Sequence, residues 1–284
     1  MTDSPPARSP ESAAHAGPPP RKVRSDVPFI TGLILLASVY VLLIVAMLLA
    51  DMFYTAPGNL IAALQSREII YATKLSLLSS SITTVLSLWI AAPIGYLMAR
   101  FSFPGKRLLD AVLDIPIVLP PLVVGLSLLI LFRWPPFTWI SDYVVYEIPS
   151  VILAQFMVAC AFAVRTMRAT FLQISPRHEQ VAMTLGCSRG QAFWRVVLPQ
   201  AKQGLLAAGT LAWARALGEF GPILIFSGAT RMRTEVLPTT VFLELQAGNL
   251  HGALAVSLLM VFAAVGVLMI VRLFARSPLL AGVE

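Results

Sequence analysis

Charge is scarce in this chain. Only 12% of its 284 residues are Asp, Glu, Lys or Arg, about half of what a soluble domain carries. Hydrophobic residues make up 57%, and the mean hydropathy is +0.80. That balance excludes an ordinary water-soluble globule and sets the sequence against a bilayer. Cysteine is scarce too: Cys160 and Cys187 give no disulfide framework. The three histidines, His15, His178 and His251, are too scattered for a metal centre. Each reads as a surface or interface residue. No G-x-x-x-x-G-K-[ST] pattern occurs, since Gly105-Lys106 lacks both the upstream glycine and the following Ser or Thr. Any nucleotide chemistry therefore belongs to another chain. Nor does a nucleophile–base pair appear at membrane depth, which counts against a membrane enzyme.

Long apolar runs are what the chain has. A bilayer needs about 20 apolar residues per helix, and six runs qualify, roughly 28–50, 73–99, 113–133, 148–168, 203–227 and 250–274. Residues 1–27 are rich in Pro, Ser and Ala and read as a disordered cytoplasmic tail. The first run is too long for a signal-peptide core, so residues 28–284 read as one membrane domain. Sorting the 21 Lys and Arg over these runs places fifteen on the side of both termini and five on the other. Arg215 falls inside a run. Both termini are therefore expected in the cytoplasm. The net charge of +7 follows from this topology, and nucleic-acid binding loses its support.

Two runs carry breakers. Pro93 lies in the second, and the third opens with LDIPIVLPPLVVG, where Pro116, Pro120 and Pro121 each remove a backbone donor. Lipid cannot satisfy the freed carbonyls. Such backbone must form a packing kink or line a water-filled path.

The polar stretch EQVAMTLGCSRGQAFWRVVLPQ, residues 179–200, separates two apolar runs on the cytoplasmic side. Ser175-Pro176 suits a helix start. Val181, Ala182 and Leu185 are expected to share one apolar face. Gly186 permits a reversal, and a second short helix with Phe193, Val196 and Val197 is expected to end at Pro199. Two helices around a glycine make a compact knob suited to a partner's groove; an amphipathic helix lying on the membrane is the alternative. The stretch resembles the cytoplasmic EAA loop of ABC-importer permeases: Glu-Ala-Ala, three residues, Gly, nine residues, then Ile-x-Leu-Pro. Here Gln180-Val181-Ala182, Gly186 and Val196-Val197-Leu198-Pro199 fill the pattern, with Gln in place of Glu and Glu179 one position earlier. The resemblance implies that Glu179, Gln180, Val181, Ala182, Gly186, Arg189, Leu198 and Pro199 couple this chain to an ATPase subunit.

In the fifth run, ARALGEFGPILIFSG, Arg215 and Glu219 stand one helical turn apart and can pair. Neither would persist facing lipid. The pair reads either as mutual neutralisation at an interface or as part of a gate. Gly218 and Gly221 allow close helix approach there. The run resembles the RALGEFG segment of molybdate, tungstate and sulfate permeases, and IPIVLPPLVVG resembles the LP-x-x-LPP-x-V-x-G segment of the molybdate and tungstate subset. GPILIFSG departs from that subset's Gly-Ala-Thr. Together the resemblances cover roughly residues 65–275. They imply an all-α integral membrane protein with six transmembrane helices and the type I ABC importer permease fold. Its pathway would involve Arg215, Gly218, Glu219, Gly221, Pro120, Pro121 and Thr210. An oxyanion needs a wet, donor-lined cavity, for which Ser79, Ser80, Ser81, Thr83, Thr84 and Thr210 are candidates; hydroxyls also cap their own helix carbonyls. The implied assembly is a homodimer in the inner membrane, in contact with lipid, with an ATPase dimer and an extracytoplasmic substrate-binding protein. ATP and Mg would be bound by the ATPase, and no cofactor by this chain. The oxyanion would be molybdate, with sulfate, thiosulfate and tungstate as alternatives. A secondary transporter using Arg215 and Glu219 as an ion relay is the rival, and nothing in it calls for the knob.

Overall fold

The computed structural model of the chain describes residues 27–54, 58, 61 and 65–275. The expected tail lies outside the described residues except for Val27, as does the chain after Ala275. Two compact units are present, Met1–Ala50 and Asp51–Glu284. Helix α1 (Val27–Tyr54) fills the described part of the first and carries no charge before Asp51. All other regular elements among the described residues are helical as well.

Helix α2 (Arg67–Arg100) is 34 residues long, about 51 Å at 1.5 Å per residue. Glu68 lies in its first turn and Arg100 in its last, each matching the helix dipole. One side of α2 is a buried seam of small residues: Ala72, Ser76, Ser79, Ser80, Thr83, Ser87, Ala91 and Gly95. Their three- and four-residue spacing is the helical repeat, and small side chains let backbones close up in a membrane. Against this seam packs α5 (Ile148–Gln173). A Cβ on Gly95 would meet the Met167 side chain at 2.8 Å and the Arg168 backbone nitrogen at 2.9 Å. Helix α7 (Lys202–Leu217) closes the bundle, presenting Ala208, Ala212 and Ala216 to the same core.

The third run is not one straight span. It forms α3 (Lys106–Val118) and α4 (Pro121–Leu131), bent by 112°. The cause is local. A residue before proline is driven out of the α region, and here two such residues are consecutive. Leu119 precedes Pro120 and has ψ 139°; Pro120 precedes Pro121 and has ψ 133°. Pro116, by contrast, is absorbed within α3. The fifth run is also in two pieces, α7 and α8 (Gly221–Phe226), parted at Gly218–Phe220. Among the described residues four helices are long and apolar enough to cross a membrane, and a fifth if the bent pair counts as one span. Between α6 (Pro176–Thr184) and α7 lie shorter turns. Helix α9 (Leu237–Gln246) packs on α10 (Leu250–Ala275).

Candidate functional site

The segment between α5 and α7 folds as two short helices about a left-handed glycine. Ser175 caps α6, its Oγ accepting from the Arg177 N–H at 3.4 Å. The helix stops because Gly186 has φ +91°, a conformation that favours glycine. A capping box opens the next turn: the Ser188 N–H donates to Gln191 Oε1 at 2.9 Å, and the Gln191 N–H to Ser188 Oγ at 3.3 Å. Pro199 does not end this helix, contrary to expectation. A π turn at Phe193–Val197 leads straight into Leu198–Gln200. Pro199 has no N–H to give to a carbonyl four residues back, and the wider π spacing accommodates that loss.

The expected single apolar face is divided. Ala182 is buried, whereas Val181 and Leu185 are exposed, Leu185 at 81%. The outward surface carries Gln180, Val181, Leu185, Gly186 and Trp194. Glu179 points inward and is buried. Its Oε1 accepts from the Tyr96 hydroxyl, and its Oε2 lies 3.6 Å from Arg100 Nε. Arg100 Nη2 also donates to the Ile174 carbonyl at 2.7 Å. Arg189 stacks its guanidinium 5.1 Å from the centroid of the Phe101 ring. Leu198 is half-buried and Pro199 exposed. Tyr96 and Arg100 had no local signature beyond a cation at the end of a run.

At the broken spans, Arg215 Nη2 donates to Glu219 Oε2 at 3.1 Å. Glu219 is buried, Arg215 is half-exposed over the Phe162 ring, and Arg215 Nε is buried without a hydrogen bond. The half-helices α4 and α8 meet through reciprocal contacts of Gly221 with Pro121 and Gly125 with Pro222. Pro120 makes the bend but remains exposed. Gly218 has only the Ala214 carbonyl, at 3.5 Å, near its open side.

Most of the hydroxyls considered as cavity donors have a partner within the protein. Thr84 donates to Ser80 O, Ser81 to Leu77 O, Ser79 to Ser76 O and Thr210 to Leu206 O. Thr83 bonds Gln155 Oε1 across the α2–α5 seam at 3.2 Å. Only Ser80 Oγ of these is buried without a partner. No group of three or more His, Cys, Asp or Glu that could hold a metal is found among the described residues.

A second polar cluster, without a local signature in the sequence, occupies the Glu68 end of α2. Arg231 pairs with Glu68 and, at 2.9 Å, with Glu244; Arg233 pairs with Glu147, and its carbonyl accepts from Tyr71 at 2.9 Å. Inside this loop Glu235 is fully buried, and burial pushes its carboxyl above the ordinary value.

Residues 91–277 match the family described as the binding-protein-dependent transport system inner membrane component. The chain belongs to that family. It is thus a multi-pass inner-membrane permease. Its relatives include the sulfate transport system permease protein CysT of Escherichia coli, 33% identical over 69% of this chain and 75% of the relative. The molybdate/tungstate transport system permease protein WtpB of Thermococcus kodakarensis is 32% identical, over 75% of this chain and 81% of the relative. A probable molybdenum ABC transporter permease of Haloferax volcanii is 31% identical over 86% and 90%. The fold matches a solved bacterial ABC transporter importing the acidic polysaccharide alginate, with TM-score 0.70 and 18% identity over 87% of this chain and 95% of that one.

Proposed function

We propose that this permease is the membrane subunit of an ATP-driven importer for a tetrahedral oxyanion, with molybdate as first substrate. Two copies would pair in the membrane, each with six spans and both termini in the cytoplasm. The fifth and sixth spans would be the broken α7–α8 run and α10. An ATPase dimer would grip the two knobs, residues 175–200, while an extracytoplasmic binding protein delivers the anion to the other side. ATP and Mg would be held by the ATPase, and this chain would bind no cofactor.

The observation that carries the reading is the knob itself: a capped, two-helix protrusion that leaves Val181, Leu185 and Trp194 exposed in a polar segment. Apolar side chains standing out among polar ones favour burial in a groove. Closing the ATPase dimer would draw the knobs together and rock the spans, shutting one gate and opening another. Arg215 and Glu219 at the break in the fifth run, with Gly218, Gly221, Pro120, Pro121 and Thr210 nearby in the two broken runs, would form part of that gate. The oxyanion class rests on the sulfate and molybdate/tungstate permeases among its relatives.

The test is reconstitution of the permease in vesicles with its partner ATPase and binding protein. Uptake of labelled molybdate, tungstate and sulfate is then measured with ATP inside or outside. ATP-dependent molybdate uptake that resists an uncoupler supports the proposal. Uptake that collapses with the uncoupler and ignores ATP overturns it in favour of ion coupling.

A further inference from the structure

Glu179 is the only carboxylate between Glu147 and Glu219 in the sequence, and it sits in the middle of the exposed knob. A docking contact would face outward. Glu179 instead turns into the protein, where both its oxygens meet groups from one turn of α2. Tyr96 donates to Oε1, and Arg100 lies 3.6 Å from Oε2. The same guanidinium donates to Ile174 O at the end of α5, the residue just before the Ser175 cap. One buried ion pair therefore ties together α6, the last turn of α2 and the end of α5. Glu179 and Ala182 are the only buried residues of α6; a further tie, His178 Nδ1 with Gln200 Oε1 at 2.9 Å, stays within the knob.

We propose that the Glu179 carboxylate, held by Tyr96 and Arg100, is the joint that makes the knob and the α2 C-terminus move as one body, and that it makes no contact with the ATPase. The inference rests on residues 175–200 being the docking segment. A buried carboxylate is stable only with its partners in place, so the joint resists opening while the knob is pulled. Helix α2 then carries the displacement to its far end, where Glu68 meets Arg231. Glu179, Tyr96 and Arg100 are positioning residues: they act through the geometry of the knob.

The experiment uses the assembled complex in lipid nanodiscs. Spin labels are placed at Arg177→Cys on α6 and Ser102→Cys beyond α2, both exposed, with Cys160→Ser and Cys187→Ser as background. Distances between labels are measured with and without a non-hydrolysable ATP analogue. With Glu179 present, the intrachain distance should be narrow and unchanged by nucleotide. Glu179→Gln keeps the shape and loses the charge. It should broaden that distance and lower substrate-stimulated ATP hydrolysis about tenfold, while the ATPase still co-purifies. Tyr96→Phe, which removes one bond and leaves Arg100 in place, should give a smaller change in the same direction. It carries the test if Glu179→Gln does not fold. A distance that shifts with nucleotide when Glu179 is present overturns the proposal. So do unaltered distances and stimulated hydrolysis in Glu179→Gln and Tyr96→Phe. If the ATPase fails to bind the permease with Glu179 intact, the docking reading itself falls, a separate outcome from loss of the joint alone.

Discussion

Gly221 lies so close to Pro121 that a Cβ built on it would stand 2.7 Å from the proline Cβ. The relation is mirrored by Gly125, whose added Cβ would meet Pro222 Cα at 2.8 Å. Each half-helix thus offers a glycine to the other's proline. Pro121 and Pro222 supply the surface on which α4 and α8 seat, with Ile223 and Phe226 filling the core beside Val124 and Leu128. A bend in one span and a break in the other become one packed unit.

Gly221→Ala should therefore separate α4 from α8. Overpacking of a tight contact costs about 1–3 kcal/mol, read as a lowered melting temperature of the purified permease and reduced uptake. Gly218→Ala is the internal control. Gly218 has φ −85° and an open side, so alanine there should leave the melting temperature unchanged or raise it. Equal losses for both variants would refute the glycine–proline seating.

Leu185→Asp tests the outward face of the knob. Leu185 is mostly exposed, so a charge there should leave folding and membrane insertion intact, within about 0.5 kcal/mol. Desolvating that charge in an apolar groove should weaken ATPase binding by at least about tenfold. Co-purification and a thermal melt read the two effects separately. Normal ATPase capture by Leu185→Asp would remove Leu185 from the interface.

Much of this architecture was legible in local sequence, and the exceptions share a cause. The doubled proline at Pro120-Pro121 announced a break because proline acts on its immediate neighbour. The Gly186 reversal, the Ser175 cap and the Arg215–Glu219 pair are equally local. The inward turn of Glu179 was not legible, because it depends on Tyr96 and Arg100, some eighty positions away. Helical spacing grouped Val181, Ala182 and Leu185, but which side of α6 is buried is decided by α2. The Arg231–Glu68 pair spans 163 positions and has no local trace. The hydroxyls of α2 were legible by type and not by partner. Residue type showed donors; in the fold Ser81 and Thr84 bond the carbonyl four residues back, Ser79 the one three back, Thr83 reaches Gln155 on α5, and Ser80 Oγ is left without a partner.

The Arg215–Glu219 pair separates stability from transport. Glu219→Gln leaves Arg215 unpaired, and Arg215→Met leaves a buried carboxylate; each should lower the melting temperature. Arg215 is half-exposed, so the loss should fall below the roughly 3–5 kcal/mol seen when fully buried pairs are broken. The double variant Arg215→Met/Glu219→Gln removes both charges and should recover most of the stability. If the pair belongs to the gate, uptake stays low in that stable double variant. Restored uptake would reduce the pair to a structural neutralisation.

Glu235 gives the loop at the far end of α2 a pH dependence whose sign can be worked out. Its side chain is fully buried, and Oε2 accepts a long bond from the Met232 N–H at 3.4 Å. Burial raises its pKa above the ordinary carboxylate value of 4.5, against the opposing pull of the Thr240 hydroxyl, the Met232 N–H and Arg231. A raised carboxyl pKa means the folded state holds its proton more tightly than the unfolded chain. The associated stability is complete below pH 4.5, the ordinary value, and is lost as pH rises through the folded value. Glu235→Gln cannot ionise, so it escapes that loss. Melting temperatures of the two proteins should diverge as pH rises from 5 to about 8, the glutamine variant becoming relatively more stable. A constant difference across that range would mean that Glu235 titrates alike folded and unfolded, and that burial in this loop does not hold its proton.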